Sequence, residues 1–151
     1  MKIAIGSDEL GYAIKQTIRQ KFSTDELVFI DFGVNENEAT DYPDIALRVA
    51  TAVKNKEVDR GILVCGTGIG MAISANKVNG VYAAVCHDLY STQRSILSNN
   101  ANVMCLGALV IGVSTATEMV RVWLSLEFKE SPSLRKINRI KEIEADQLVG
   151  K

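Results

Sequence analysis

Short apolar runs alternate with helix-period segments along the chain, and that alternation restricts it to a parallel sheet covered by helices. Lys2–Ile5, Leu27–Phe32, Gly61–Val64, Val81–Val85 and Val103–Leu106 are largely apolar. Each is too short for a helix and continuous enough to be a strand buried on both faces. Between them, Tyr12–Phe22 carries Ile14, Ile18 and Phe22 at a helical spacing. Val34–Asp41 is polar and reads as a loop. Pro43 suits the first turn of a helix with Ile45, Val49 and Val53 on one face. Met71–Lys77 and Leu89–Ser98 read as helices, and Thr115–Phe128 as an amphipathic one bearing Val120, Trp123 and Leu124. Beyond Pro132, the stripe Leu134, Ile137, Ile140, Ile143 and Leu148 marks a terminal helix. It packs on its own domain or lies across a partner. With right-handed crossovers, the pattern predicts an α/β fold: a Rossmann-like three-layer α/β/α sandwich with a five-stranded parallel sheet and an extra C-terminal helix. One domain spans residues 1–151.

A chain of 151 residues, 47% hydrophobic, can bury one sizeable core. Its net charge of -1, with the two signs interspersed, excludes a wide nucleic-acid surface. No apolar run approaches the ~20 residues that cross a bilayer. Met1–Gly6 is too short for a signal peptide, so a cytosolic protein is expected and no membrane partner. The cysteines Cys65, Cys86 and Cys105 are odd in number and sit in or after strand-like runs, which suits reduced thiols. With one histidine, His87, and no Cys-x-x-Cys pair, no metal site is expected.

Ligands of such folds collect beyond the carboxyl ends of the strands. The loop Cys65-Gly66-Thr67-Gly68-Ile69-Gly70 follows the third strand and opens a helix there. Alternating glycines bare the backbone amides, which can face an anion, and a helix N-terminus favours a thiolate over a thiol. Gly70 is followed by Met71 rather than Lys-Ser/Thr, so this is no nucleoside triphosphate loop. The spacing also departs from the dinucleotide fingerprint, and no arginine follows Cys65 until Arg94, as a cysteine phosphatase would need. What remains is a thiol, a hydroxyl and amides around a small oxyanion, apparatus for moving a proton beside a carbonyl. The alternative is a tight turn with Cys65 as core filler, but a turn needs one glycine rather than three.

The segments Met1–Asp8, Asp41–Asp44, Gly61–Met71, Ala75–Val78, Asn99–Val103 and Val110–Gly112 resemble the ribose-5-phosphate isomerase type B and galactose-6-phosphate isomerase family. The resemblance covers nearly the full length. It implies aldose–ketose isomerisation without metal or cofactor, in a homodimer or dimer of dimers whose sites are shared between subunits. It implies that Cys65 is the base moving a proton between C1 and C2, and that Thr67 and the amides from Gly66 through Gly68 to Gly70 hold the enediolate. Asp8, Tyr42 and Asn99 would bind substrate hydroxyls. Read from the residues alone, Asp8 is equally a helix cap, Tyr42 a pre-proline packing ring, and Asn99 with Asn100 a helix stop.

The departures from the family pattern cluster. Glu9 stands where the family has histidine, Ser98 where it has the ring-opening histidine, Leu109 where it has arginine, and Pro132-Ser133 where it has Gly-Arg-His. Lys136, with Arg135 and Arg139, preserves positive charge near the last of these. His87 follows the fourth strand, at the carboxyl end, where it either takes over ring opening or is a surface histidine beside Asp88. The substrate expected is a sugar phosphate of the ribose-5-phosphate or galactose-6-phosphate type. The alternatives are an unphosphorylated or four-carbon sugar, a subunit requiring a related histidine-bearing partner, or a non-catalytic sugar-binding module.

Overall fold

In the computed structural model, which describes residues 1–36 and 38–149, five strands form one sheet. They are β1 (Lys2–Ser7), β2 (Val28–Asp31), β3 (Arg60–Cys65), β4 (Ala83–Val85) and β5 (Val103–Gly107). All pairings are parallel, in the order β2-β1-β3-β5-β4. The helices are α1 (Tyr12–Phe22), α2 (Tyr42–Lys54), α3 (Ile69–Ala75), α4 (Leu89–Leu97), α5 (Val113–Ser125) and α6 (Leu134–Val149).

The three central strands are apolar on both faces because both faces are covered. Alternate side chains divide between two cores, as a period of two requires. Ile3, Ile5, Ile62 and Val64 pack with Ile14, Ile18 and Trp123 under α1 and α5. Ala4, Leu63 and Cys65 pack with Ile45, Val49 and Met71 under α2 and α3. The chain leaves β1 towards β2 on one side and returns to β3 on the other, so the crevice at the strand-order reversal lies beyond the carboxyl ends of β1 and β3.

The end of α5 differs from the sequence expectation for a visible reason. The helix expected to reach Phe128 stops at Ser125. The Arg60 guanidinium, stacked over the Trp123 ring, donates to the Trp123 carbonyl at 3.1 Å and the Leu126 carbonyl at 2.7 Å, satisfying a helix end that would otherwise continue. Among the described side chains of α6 only Ile137 is buried, whereas Ile140, Ile143 and Leu148 are about half exposed. The helix is held to the turn before β4 by Glu144, which accepts from Gly80 N–H at 2.8 Å and from the Tyr82 hydroxyl at 3.0 Å. Burial, followed by the bond to Glu144, pushes the Tyr82 phenol up to about 12.

Lys15 on α1 is fully buried. Its ammonium donates to Asp31 Oδ1 at 2.9 Å and to the Val34 carbonyl, while Arg19 donates to Asp31 Oδ2 at 2.7 Å and Gly33 N–H to Oδ1 at 3.0 Å. This network anchors the connection from β2 to α2, which carries one wall of the crevice.

Candidate active site

β3 delivers Cys65 to the crevice with the residue only 5% exposed. The next turn aims an amide at it: Gly68 N–H donates to Sγ at 3.1 Å. Gly68 has φ +76°, and a Cβ there would stand 3.0 Å from the Leu106 backbone, so only glycine makes this turn. The expected outward-facing cradle is therefore partly turned inward. The Gly68 amide is engaged by sulfur, and the Ile69 amide donates to Thr67 Oγ1 at 3.3 Å. Thr67 itself is exposed at the mouth of the loop, whereas Gly66 is buried.

The end of β5 is stitched to the Cys65 loop, a backbone link that sequence reasoning did not give. Ala108 N–H donates to the Cys65 carbonyl at 2.8 Å and Leu109 N–H to the Gly66 carbonyl at 2.9 Å. Gly107 permits this stitching, since a Cβ there would meet the Thr67 backbone at 2.7 Å. A glycine closing a strand opposite another glycine loop was the available signal. Leu10 and Leu109, both exposed, flank Gly66 and give the loop an apolar rim.

Beside the loop lies a cleft of about 350 Å³ lined by Asp8, Glu9, Ala39, Thr40, Asp41 and Tyr42. Asp8 serves both readings available from sequence: Oδ1 accepts Gly11 N–H at 3.0 Å ahead of α1, and the residue lines the cleft. Burial pushes its carboxyl up, against the Gly11 hydrogen bond, and neighbouring Glu9 adds to the rise. Three carboxyl groups line this cleft and no basic side chain does, so it suits sugar hydroxyls and disfavours a phosphate.

Tyr42 opens α2 and lays its ring against Gly70, where a Cβ would stand 2.5 Å from Cε2. Gly70→Ala is expected to displace the ring while leaving the fold intact, because the tyrosine is exposed and alanine is the better helix former by about 1 kcal/mol. Thermal denaturation should show unchanged or slightly raised stability, and steady-state kinetics a KM raised about tenfold, the cost of a lost hydroxyl contact.

The remaining sequence-predicted residues are not gathered into this crevice by one chain. His87 lies at its β5 side, but its Nε2 is occupied, accepting Gly107 N–H at 2.9 Å. Asn99 precedes β5 at the amino edge of the sheet, so the length of a strand, roughly 16 Å, separates it from the Cys65 edge. Its side-chain amide donates to the Arg94 carbonyl at 2.9 Å, the helix-stop use of asparagine, and Asn100 takes the left-handed conformation beside it. Asn99 lines a groove with Asn76, Tyr82, Ile137 and Ile140. Lys136 stands exposed next to Ile137 on the first turn of α6 and lines neither that groove nor the cleft. Asn76 is held within the fold: its side chain pairs with both the amide and the carbonyl of Ala83, fixing the start of β4. Among the described residues no cluster of three His, Cys, Asp or Glu side chains could hold a metal, and no helix is long and apolar enough to cross a membrane.

Comparison with known proteins points to one family. A family model described as ribose/galactose isomerase matches residues 3–143. A protein of Listeria innocua named ribose-5-P isomerase B is 51% identical over 95% of this chain and 97% of its own. One of Mycolicibacterium smegmatis named D-erythrulose-4-phosphate isomerase 2 is 45% identical over 93% of this chain and 95% of its own. The structure of Clostridium thermocellum ribose-5-phosphate isomerase B superposes with a TM-score of 0.93 at 45% identity, covering 97% of this chain and 99% of that one.

Proposed function

The chain belongs to the ribose/galactose isomerase family and is an aldose–ketose isomerase of sugar phosphates, and we propose that Cys65 is the base of its proton transfer. The observation that carries the reading is the sulfur at the mouth of the loop with Gly68 N–H aimed at it. A charge-assisted N–H···S contact steadies the sulfur when it is ionised and fixes its direction. The thiolate takes the proton from the carbon next to the substrate carbonyl, the bond electrons move onto the carbonyl oxygen, and an enediolate forms. The remaining hydroxyl proton passes to the former carbonyl oxygen, and returning the carbon-bound proton from Cys65 to the former carbonyl carbon completes the isomerisation. Thr67 and the outer amides of the loop face the developing oxyanion, and Asp8, Glu9 and Tyr42 hold hydroxyls in the cleft. A phosphorylated substrate is retained inside cells, which favours a cytosolic location. The test is incorporation of solvent deuterium at C1 or C2 on incubation with a sugar phosphate. Turnover with no deuterium incorporated from solvent would argue for a hydride shift and against the thiolate.

A site built in this way is completed by a second copy. Asn99 stands a strand length from Cys65 in its own chain, and the acidic cleft leaves a phosphate to be met by cations such as Lys136, Arg135 and Arg139 from elsewhere. In a symmetric dimer with shared sites, mixing Cys65→Ala with Lys136→Ala chains restores about a quarter of wild-type activity, because hybrid dimers carry one intact site. Mixing without restoration, with hybrids verified by mass spectrometry, would place both residues' roles in one chain.

The substrate class is narrowed by the histidine count. Opening a sugar ring needs an acid–base group, and the sole imidazole of this chain has its Nε2 engaged by Gly107. A four-carbon sugar phosphorylated at C4 has no free hydroxyl with which to close a five-membered ring and stays open. The relative named D-erythrulose-4-phosphate isomerase 2 supports this reading. We expect kcat/KM for tetrose 4-phosphates to exceed that for pentose 5-phosphates by about a hundredfold, the worth of one general acid–base group. Equal values would overturn it, and an inactive purified chain would favour an obligate related partner.

A further inference from the structure

We propose that His87 is a positioning residue that locks the Cys65–Gly70 loop by accepting the Gly107 amide through Nε2, and that it does not bind substrate; this rests on the catalytic reading of Cys65. The geometry begins with a mismatch of strand lengths. β4 ends at Val85, paired with Cys105, and the last ladder bond runs from Cys86 N–H to the Cys105 carbonyl at 3.0 Å. β5 continues to Gly107, which pairs with Cys65 on its other side. The Gly107 amide therefore points towards a place where β4 has no further carbonyl. The His87 imidazole fills that place at 2.9 Å.

What hangs on this bond is the loop itself. Gly107 lies against the Thr67 backbone, and the two residues after it donate to the Cys65 and Gly66 carbonyls. Leu106, just before it, presses its backbone on Gly68, whose amide aims at sulfur. A shift of the β5 terminus therefore reaches Sγ through three backbone contacts in sequence. Misplacement by an ångström at a reacting group costs about a hundredfold in rate.

The Gly107 amide is a donor, so Nε2 must be unprotonated and the neutral ring must carry its proton on Nδ1. Protonation places two N–H groups face to face and breaks the lock. Burial pushes His87 down from its ordinary value, keeping it neutral, while Asp88 on the same turn opposes this. Asp88 is itself held by Ser91, whose side chain first and backbone N–H second keep its carboxyl low. Among the described residues, Asp88 is the one charged group that acts on the imidazole. Burial holds the Cys105 thiol well above its ordinary value and uncharged at neutral pH.

The experiment combines His87→Leu, which has no acceptor, with His87→Gln, whose Oε1 can accept the amide without titrating. We expect His87→Leu to lower kcat about tenfold to a hundredfold with KM within about threefold, and His87→Gln to recover most of the loss. The acid fall in kcat should lose the His87 component in His87→Gln. Because the chain has one histidine, ¹⁵N NMR of the intact protein reads its tautomer without ambiguity. The Nδ1–H form is expected, with a titration midpoint below that of free histidine. A wild-type kcat in His87→Leu, a glutamine variant as impaired as the leucine one, or an Nε2–H tautomer would overturn the proposal. A raised KM at unchanged kcat would instead return His87 to substrate binding. Absence of isomerisation in the wild type would defeat the reading of Cys65 itself, a distinct outcome.

Discussion

Cys65→Ala is expected to lower kcat by about 10²–10⁴-fold, the range for removing a general base, in a protein that remains folded. The substitution removes one sulfur from a nearly buried position and frees one amide, a loss of about 1 kcal/mol in stability. Cys65→Ser separates chemistry from structure. Its hydroxyl can still accept Gly68 N–H, so the loop keeps its shape, yet an alcohol is far too weak an acid to supply the base near neutral pH. Both variants should therefore lose solvent-deuterium exchange together, while circular dichroism and the urea midpoint stay near wild type. Cys86→Ala is the control. Burial pushes the Cys86 thiol up, it lies in the other core layer, and its loss should leave exchange intact. A serine variant as active as wild type would transfer the base to another group.

The largest stability effect is expected at Asp31. Asp31→Ala deprives the fully buried Lys15 ammonium of its carboxylate and leaves Arg19 and Gly33 N–H without their partner. An uncompensated buried charge costs about 3–5 kcal/mol, and because Asp31 is 21% exposed the loss should fall at the low end of that range. Urea unfolding is the measurement. Adding Lys15→Met to Asp31→Ala removes the stranded charge and should recover part of the loss, giving a coupling energy of about 1–3 kcal/mol in the double-mutant cycle. Additive losses would show that the pair is not coupled. Lys15 also holds the Val34 carbonyl, and the connection it anchors leads to Ala39–Tyr42 in the cleft. The single variant should accordingly raise KM even at temperatures where it is fully folded.

Much of this was legible in the residues. The run lengths placed the central strands because a strand buried on both faces must be apolar throughout, as Ile62-Leu63-Val64 is. The glycine alternation marked the loop because each glycine answers a separate steric demand: a left-handed turn at Gly68, the Tyr42 ring at Gly70, and the leucine rim at Gly66. The end of α5 was not legible, since the group that satisfies its carbonyls, Arg60, lies more than sixty positions away in the chain. Nor was the fate of the α6 stripe, because an apolar face at helical spacing reads alike whether it meets its own core or another surface.

The sequence by itself determined the class of fold and the position of the thiol loop, because periodicity and local turn geometry depend on neighbours a few residues apart. Only the tertiary structure decided that the Gly68 amide turns in to the sulfur, that His87 is committed to Gly107, and that Asn99 stands at the opposite edge of the sheet from Cys65. Those facts depend on where strands end relative to one another and on which edge each loop emerges. That register is set by the packing of the whole domain, and no local pattern of residues encodes it.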